Sequence, residues 1–395
     1  CKTEADFYDV CKEASILGTL QAGYTKFPYL GETTEKIVRR ESLLGVSMTG
    51  MMDNPEIAFD AKIQRQGAKI VKAVNDKLSK IIDINPAARL CCVKPSGTAS
   101  CLLSTSSGIH PHHAKRYIRR VQANKTEAPA IHFQKYNPFA VQQSVWKETD
   151  VVLNFICEVP DGYKYKNTLS ALEMLENVKT TQNNWVKYGT VAERCVYPWL
   201  QHNVSNTCVV KDESEWKDVT NYIWRNRRHF TGISLLPYSG DKDYPQAPFS
   251  TILSEREIVA EYGNGCLFAS GLIEFALMCF DNNLWRACDY LMGINGIQNK
   301  TTSMNIFKQK CQTFAEKYLN GDIKKLTYLL KDVYNRKYYL DLVREYQEVD
   351  WSTMEEDADM IDFQSESACA GGACEWGNLG ETIKENIQNK NSLDK

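Results

Sequence analysis

The sequence predicts an α/β fold built on a parallel sheet with helices on both faces. Over the first 253 residues, short runs rich in β-forming residues alternate with longer stretches whose apolar residues recur at helical spacing. This alternation is typical of parallel sheets, because the chain needs a long crossover, usually a helix, between parallel strands. A length of 395 residues with 43% hydrophobic content fits one large domain with additions and excludes a wholly disordered or fibrous chain.

Helices are predicted where apolar residues recur three and four positions apart. The first begins after Thr3, an N-cap residue with Asp6 three positions later, and continues to about Tyr24. Further helices are predicted over 63–81, 168–187 and 214–227.

Five strands are predicted from short runs rich in β-forming residues, at 43–51, 89–94, 151–158, 203–210 and 230–236. Because helical stretches are interleaved with these runs, we expect five parallel strands with both sheet faces covered.

The chain changes character after residue 253. Residues 254–353 are predicted to be mainly helical, and an acidic stretch at 354–362 leads into a polar end with few apolar residues. Such a composition cannot bury a core, so we expect the tail to be mobile. The predicted domains are therefore 1–253, 254–353 and 354–395.

Charge and hydropathy exclude two classes of partner. Lys and Arg number 47 and Asp and Glu 49, for a net charge of -2, which argues against a protein that tracks the phosphate backbone of a long nucleic acid. The longest nearly apolar stretch, 265–280, is interrupted by Glu274 and is shorter than the ~18 to 20 residues of a membrane span. A nucleotide ligand stays possible, and no membrane partner is expected.

The cysteine pattern indicates a reducing compartment. There are 14 cysteines, no C-x2-C pair and no secretory signal at the start of the sequence. We therefore expect a cytoplasmic protein without a metal site. Cys1 in first position suggests either a trimmed sequence or processing, and it is also the residue type that follows an excised intein.

The run Pro95-Ser96-Gly97-Thr98-Ala99-Ser100 is the clearest candidate binding site. It directly follows a predicted strand, which Pro95 ends, and Gly97 lets a backbone approach a ligand closely. Ser96, Thr98 and Ser100 offer hydroxyls beside the free N–H groups of a helix N-terminus, as a phosphate site requires. An ordinary N-cap in a β–α turn explains the same pattern equally well.

Cys369 and Cys374 bracket Ala-Gly-Gly-Ala in the tail. This small, flexible loop can bring two sulfurs to disulfide distance, and a mobile tail can carry reducing equivalents between a buried site and an external reductant. The alternative is that the two cysteines are exposed by chance and have no function. This alternative is disfavoured because an exposed thiol without a function can react unproductively.

Three other clusters have structural explanations. His110, His112 and His113 lack a fourth metal ligand nearby, so hydrogen bonds to a ligand or to the backbone are favoured. The basic residues Lys115, Arg116, Arg119 and Arg120 can hold anions or pair with surface acids. The pair Tyr338-Tyr339 lies in a helical pattern, which favours packing over radical transfer.

These motifs, in this order, resemble the C-terminal half of ribonucleotide reductases, most closely the adenosylcobalamin-dependent (class II) enzymes of phages and bacteria. The resemblance covers almost the whole chain. It is carried by the runs ILGTLQ (16–21), LLGVSMT (43–49), MDNP (52–55), KPSGTAS (94–100), SGIHP (107–111), YIRRV (117–121), GISLLP (232–237), GDKDYPQAPF (240–249) and CAGGACE (369–375).

The resemblance implies a fold and several roles. Family members contain a ten-stranded α/β barrel made of two five-stranded halves, so this chain is expected to form the second half-barrel. The run from Pro95 to Ser100 is expected to bind the phosphates of a ribonucleotide. Cys369 and Cys374 are expected to re-reduce an active-site disulfide with electrons from a thioredoxin-like reductant.

One part of the family pattern does not occur in this sequence. The radical cysteine of the family lies in an Asn-Pro-Cys-Gly-Glu-like finger loop, and none of the 395 residues matches it. The resemblance therefore implies an enzyme that is active only with an N-terminal half, from a split or intein-interrupted gene, and that shares adenosylcobalamin with that half. Ser107, Gly108, Ile109 and His110 are the residues expected nearest to the cobalamin.

Two alternatives stay open. The first is the large subunit of a diiron (class I) reductase, for which Tyr338-Tyr339 would have to transfer a radical. The second is a non-catalytic assembly module that retains a half-barrel, which would have no use for the pair Cys369 and Cys374.

Overall fold

The computed structural model describes residues 1–237, 242–294 and 301–355, and it confirms an α/β protein. The chain divides into two compact units. The first comprises Cys1–Ala114 and Val159–Ser239, and the second Lys115–Glu158 and Gly240–Lys395. This division differs from the predicted limits, because 115–158 lies in the second unit although it was predicted within the 1–253 barrel segment. The functional division into 1–253, 254–353 and 354–395 stays a prediction.

The helices follow the sequence patterns closely. Thr3 caps the first helix, accepting a hydrogen bond from the Asp6 amide while the Asp6 carboxylate accepts one from the Thr3 amide. The predicted helix 168–187 ends in a π-helical turn, Gln182–Val186. The α-helices are α1 (Glu4–Ala22), α2 (Glu32–Glu41), α3 (Pro55–Ala58), α4 (Ala61–Ile81), α5 (Gly97–Leu102), α6 (Ala128–Tyr136), α7 (Ala171–Thr181), α8 (Glu213–Asn226), α9 (Glu255–Tyr262), α10 (Ala269–Cys279), α11 (Leu284–Met292), α12 (Thr302–Tyr318) and α13 (Ile323–Glu345).

The strands are mostly short. They are β1 (Val46–Ser47), β2 (Cys91–Cys92), β3 (Arg116–Asn124), β4 (Val141–Gln143), β5 (Asp150–Glu158), β6 (Thr207–Val210), β7 (Ser234–Pro237) and β8 (Phe249–Thr251).

The first unit contains the parallel pairing that the sequence predicts. Strand β1 pairs with β2, and β6 pairs with β7, both in parallel. A parallel bridge joins Val93 to Val204, with the Val93 amide donating to the Asn203 carbonyl at 3.1 Å and the Ser205 amide to the Val93 carbonyl at 2.8 Å. Four of the five predicted strands are thus linked in parallel.

The fifth predicted strand, 151–158, is a strand, but the prediction that it joins the parallel set was wrong. As β5 it pairs antiparallel with β3 and β4, and β3 also pairs antiparallel with β8. The four strands form a separate sheet in the second unit. Strand β3 was not predicted because its basic side chains resemble a surface patch.

The core of the first unit packs α1, α4 and α7 with the parallel strands. Trp185 is fully buried at the π-helical turn, and its indole N–H donates to the Cys92 carbonyl at 2.9 Å. Close approach at Gly189 makes this packing possible, because a Cβ there would lie 2.4 Å from the Cys91 side chain. The π-helical turn and the residues that follow it therefore pack directly against β2.

The second unit combines the antiparallel sheet with helices α9 to α13. A buried cluster joins α9 to α13, where Asp332 accepts hydrogen bonds from the Tyr262 hydroxyl at 2.6 Å and the Lys242 ammonium at 2.7 Å. Among the residues the structure describes, no single helix is long and apolar enough to cross a membrane. One pair, Glu255–Tyr262 with Asn264–Cys279, passes on length and composition but bends by 116°.

Candidate functional site

The predicted phosphate loop lies where β2 ends and the short helix α5 begins. Gly97 is exposed, and a Cβ added there would meet nothing within 4 Å, while Thr98 and Ala99 are also open to solvent. Ser96 occupies the N-cap position without making a side-chain cap. The first amides of α5 therefore have no intrahelical partner and face an open side of the loop.

The three predicted hydroxyls have different neighbours. Ser100 is buried, and its hydroxyl donates to the Gly97 carbonyl at 3.2 Å. The Ser96 hydroxyl is bonded to the Thr49 hydroxyl. Of the three residues, only Thr98 is exposed.

Thr49, which follows β1, supports the loop from behind. Its hydroxyl donates to the Ser106 carbonyl at 3.1 Å and accepts from the Gly108 amide at 3.0 Å. Because a hydroxyl has one hydrogen, the bond between Thr49 and Ser96 must use the Ser96 hydrogen. The Ser96 hydroxyl therefore cannot also donate to a phosphate oxygen.

The second loop, 105–112, lies directly against the phosphate loop. The Ser107 hydroxyl accepts from the Ser96 amide at 3.1 Å. Gly108 has a φ of +57°, and a Cβ there would lie 2.6 Å from the Lys94 carbonyl oxygen. Only glycine fits this combination of left-handed backbone and close approach.

Asp53 holds the second loop at its other end. Its carboxylate accepts from the Ser106 amide at 3.2 Å and from His112 Nε2 at 2.8 Å. The His112 ring stacks on Tyr163 with centroids 5.9 Å apart. Both partners of the Asp53–His112 pair are nearly buried, with side chains 11% and 9% exposed.

The residues predicted to lie near a cobalamin, Ser107 to His110, form hydrogen bonds and packing contacts within the protein. His110 Nε2 accepts from the Thr207 amide at 3.0 Å, so Nδ1 carries the hydrogen and donates to the Ser107 carbonyl at 3.1 Å. Burial lowers the pKa of His110 and favours this neutral ring. Ile109 is fully buried. The polar side chains of Ser107 and His110 are thus hydrogen-bonded within the protein, and their proximity to a cobalamin stays a prediction.

Two features near the loop were not assigned roles in the sequence. Lys94 is exposed at the start of the loop, with its ammonium 3.3 Å from the Asn203 side-chain oxygen. The hydroxyls of Thr105 and Ser106 are buried without a hydrogen-bond partner within the described residues. A cation beside open amides adds positive charge where an anion would bind.

The other sequence candidates have structural partners. The Arg116 guanidinium pairs with Glu257 at 3.1 Å, Arg120 donates to the Ala247 carbonyl at 2.9 Å, and Arg119 lies over the Phe249 ring. His113 Nδ1 lies 3.1 Å from the Lys166 ammonium. Arg116 thus pairs with a surface acid, as one of the two predicted explanations states, whereas the contacts given for Arg119 and Arg120 are to a ring and a carbonyl.

Tyr338 and Tyr339 lie in α13, as the helical pattern predicts. The Tyr338 hydroxyl donates to the Phe139 carbonyl at 3.2 Å, and burial raises its pKa to about 12. Tyr339 is buried in the core that contains Phe133. These contacts agree with a packing role.

The remaining predicted residues are three cysteines, Cys1, Cys369 and Cys374. The Cys1 carbonyl accepts a hydrogen bond from the Asn54 side chain at 3.2 Å, and its thiol is free and exposed. Cys369 and Cys374 lie outside the described residues. Over 1–237, 242–294 and 301–355, no group of three or more His, Cys, Asp or Glu side chains is placed to hold a metal ion.

Sequence reasoning missed Thr49, Asp53 and Lys94 as parts of this site. A usable signal was present, since Thr49 lies near the end of the predicted strand 43–51 and Lys94 is the last residue of the predicted strand 89–94. The carboxyl ends of parallel strands meet at one edge of a sheet, where ligand sites of α/β proteins form. Polar residues at these two ends could have been grouped on that basis.

Comparisons with known proteins confirm the resemblance found in the sequence. The chain is 26% identical over 262 residues to an adenosylcobalamin-dependent ribonucleoside-triphosphate reductase of Levilactobacillus brevis, covering 58% of this chain and 33% of that protein. A reductase of the same name from Lactobacillus acidophilus is 27% identical over 279 residues, covering 60% and 35%. A probable enzyme of this kind from Dictyostelium discoideum is 26% identical over 258 residues, covering 62% and 31%.

The fold has a counterpart among solved structures. A crystal structure of a B12-dependent (class II) ribonucleotide reductase matches with a TM-score of 0.51 and 21% identity, covering 64% of this chain and 37% of that one. No family model matches the chain. The chain thus spans about a third of the length of the curated relatives it matches.

Proposed function

We propose that this chain is one part of an adenosylcobalamin-dependent ribonucleotide reductase and that the loop Pro95–Ser100 binds the phosphates of the ribonucleotide substrate. The observation that carries the proposal is the open first turn of α5 at the end of a parallel strand. There the amides of Gly97, Thr98 and Ala99 have no intrahelical partner. The names of the relatives supply the reaction class.

The chemistry of this loop suits a polyphosphate. Backbone N–H groups at a helix start carry partial positive charge and hold anions without a side chain. The Thr98 hydroxyl adds a directed donor, and the exposed Lys94 adds a full charge at the start of the loop. Thr49 and Ser107 fix the loop from behind, so little ordering entropy is lost when the ligand binds.

The reductase reaction requires a second polypeptide segment in this proposal. The thiyl cysteine that abstracts the substrate hydrogen belongs, in the resembling family, to a finger loop that none of the 395 residues matches. We therefore propose that the four linked parallel strands form part of a ten-stranded barrel, and that a segment carrying the finger loop supplies the strands of the other half. Active enzyme would require both parts.

The cofactor is proposed on the names of the relatives alone. The contacts of Ser107 and His110 give no support for a direct bond to cobalamin, because their polar groups bond within the protein. No chemical step is therefore assigned to that loop. Its role is to hold the phosphate loop in place.

Reconstitution tests the proposed activity. The chain and a polypeptide carrying the finger loop are assayed separately and together for conversion of ribonucleoside triphosphate to deoxyribonucleotide, with and without adenosylcobalamin. We expect product only from the pair and only with the cofactor. Product from the isolated chain would disprove the two-part proposal, and cofactor-independent product from the pair would disprove the cobalamin class.

The tail cysteines are proposed to restore the oxidised active-site thiols with electrons from a thioredoxin-like protein. The Cys369→Ser and Cys374→Ser double variant is expected to retain turnover of the reconstituted pair with a small dithiol that enters the active site. It should lose turnover with thioredoxin, which cannot enter. Equal loss with both reductants would place the two cysteines in the reaction itself.

These assays also separate the two alternatives. A class I large subunit would require a diiron partner and not cobalamin, and the packed, hydrogen-bonded Tyr338 gives no support for a radical pathway. A non-catalytic module would show neither cobalamin-dependent turnover nor redox activity at Cys369 and Cys374.

A further inference from the structure

The second unit has an exposed apolar groove between α9, the start of α10 and α13. Its volume is about 1030 Å³. Leu267, Leu340 and Val343 line it and are 72%, 45% and 49% exposed. Large aliphatic side chains exposed together in a concave surface are typical of an interaction site.

The rim of the groove carries two cations, Arg256 and Lys337, that have no ion-pair partner among the residues the structure describes. Glu255 pairs with Arg336 at 2.9 Å, and Asp341 pairs with Arg344. Within the described residues, the Arg256 guanidinium and the Lys337 ammonium have no carboxylate partner, and both side chains are exposed. An occupant that combines apolar residues with at least two negative charges would complement this surface.

We propose that the groove binds the acidic segment 356–363 of the same chain. This segment has the sequence Glu-Asp-Ala-Asp-Met-Ile-Asp-Phe, with four carboxylates and three large apolar side chains in eight residues. The carboxylates match Arg256 and Lys337, and the apolar residues match the exposed aliphatic floor. The proposal concerns an interaction surface and does not depend on reductase activity.

The segment follows α13, the helix that lines one side of the groove. Arg344 lines the groove, and only 11 residues separate it from Glu356. The chain between them runs along α6, where the Asp350 carbonyl accepts from His132 at 2.9 Å and Tyr346 packs against Phe133. Residues 346–353 are held there, so the segment starts close behind a fixed part of the second unit.

Docking of the segment would limit the positions that the thiols of Cys369 and Cys374 can reach. Cys369 and Cys374 follow Phe363 by six and eleven residues, so a bound segment leaves them on a short tether. A tether of this length raises the local concentration of the thiols around the second unit and limits how far they travel.

A zero-length cross-link on the full chain tests the proposal. A carbodiimide activates a carboxylate and joins it to a neighbouring amine, so docking should give a Lys337 link to an acid of 356–362, mapped by mass spectrometry. An equal mixture of chains labelled with nitrogen-14 and nitrogen-15 separates links within one chain from links between two chains. We expect links within one chain that disappear at high salt, because exposed ion pairs are screened.

Variants that keep the tail carboxylates test each half of the recognition. Arg256→Glu should reduce the cross-link yield about fivefold, the effect of one exposed ion pair. Met360→Ser with Ile361→Ser should reduce it by at least as much. Lys187→Glu with Arg225→Glu, exposed cations of the first unit, is the matched control and should leave the yield unchanged.

Three outcomes would overturn the proposal. The first is no link from Lys337 to the segment in a chain whose circular dichroism shows it to be folded. The second is a link only between chains of different isotope, which would assign the groove to a second copy. The third is an equal yield from the Arg256→Glu and control variants. None of them bears on nucleotide binding or turnover, so the proposed function is tested separately.

Discussion

Two adjacent loops of the first unit, Pro95–Ser100 and 105–112, are both polar and both follow the end of β2 in the chain, yet they have different uses. In the first, Gly97 and Thr98 face open space. In the second, the side chains of Ser107 and His110 form hydrogen bonds with neighbouring backbone groups. The phosphate loop thus leaves hydrogen-bond donors open to solvent, whereas the two hydroxyls of the second loop that lack a partner among the described residues, those of Thr105 and Ser106, are buried. Polar composition alone does not distinguish them.

The two glycines give the largest expected contrast. Gly108→Ala should lower the free energy of unfolding by about 4 kcal/mol, because the left-handed backbone and a Cβ 2.6 Å from the Lys94 carbonyl are both unfavourable. Gly97→Ala should change it by less than about 1 kcal/mol, because its Cβ would meet nothing. Denaturant titration of the two full-length variants measures both values. Equal losses of stability would contradict the conclusion that the loop is open at Gly97 and tightly packed at Gly108.

Thr49 and Thr105 provide the next contrast. Thr49→Val removes a hydroxyl with three partners and should cost about 3 kcal/mol, roughly 1 kcal/mol for each hydrogen bond. Thr105→Val is the matched control, since its buried hydroxyl has no partner within the described residues. Thr49→Ser should restore most of the stability. A stability of Thr49→Val equal to that of the control would show that the hydroxyl does not hold the loops together.

The third contrast is in ligand binding, which should depend on Thr98 in the phosphate loop. Thr98→Val should weaken binding of a ribonucleoside triphosphate by about 2 kcal/mol, near 30-fold, if its hydroxyl donates to a charged phosphate. Calorimetric titration of the reconstituted enzyme measures the change, and the stability should stay the same because the side chain is exposed. Unchanged affinity would remove Thr98 from the proposed site.

The smallest effect concerns pH. Burial lowers the pKa of His110 in the folded state below its ordinary value of 6.5, so the unfolded chain binds the additional proton as the pH falls. Stability contributed by the neutral ring is complete above pH 6.5 and decreases below it, by at most about 1.4 kcal/mol per pH unit. His110→Gln should show a shallower loss of stability between pH 6.5 and 5. An unchanged slope would mean that His110 takes up its proton without unfolding.

Local patterns predicted the helices well and the strand pairing only in part. The cap formed by Thr3 and Asp6 involves residues three positions apart, so the sequence displays it directly. The longer of the two partners of β5 is β3, whose charged residues gave no buried pattern, and alternation along a strand does not specify the direction of its neighbour. The antiparallel sheet was therefore not predictable from either strand alone.

The candidate site shows the same limit. The turn at Gly97 was predictable because strand, proline and glycine are consecutive. The use of the Ser96 and Ser100 hydroxyls was not, because it depends on which partners are close in space. Asp53 and Ser106 are 53 positions apart, and only pairing of the strands brings them together.

The bonds of Thr49 also have a consequence for the order of folding. They join residues 47 to 59 positions apart, so none can form before β1 and β2 have paired. The phosphate loop should consequently acquire its shape late. Once formed, the Gly108 amide should exchange its hydrogen only when the β1–β2 pair opens, at the slow rate of a core strand and not at the fast rate of a surface loop.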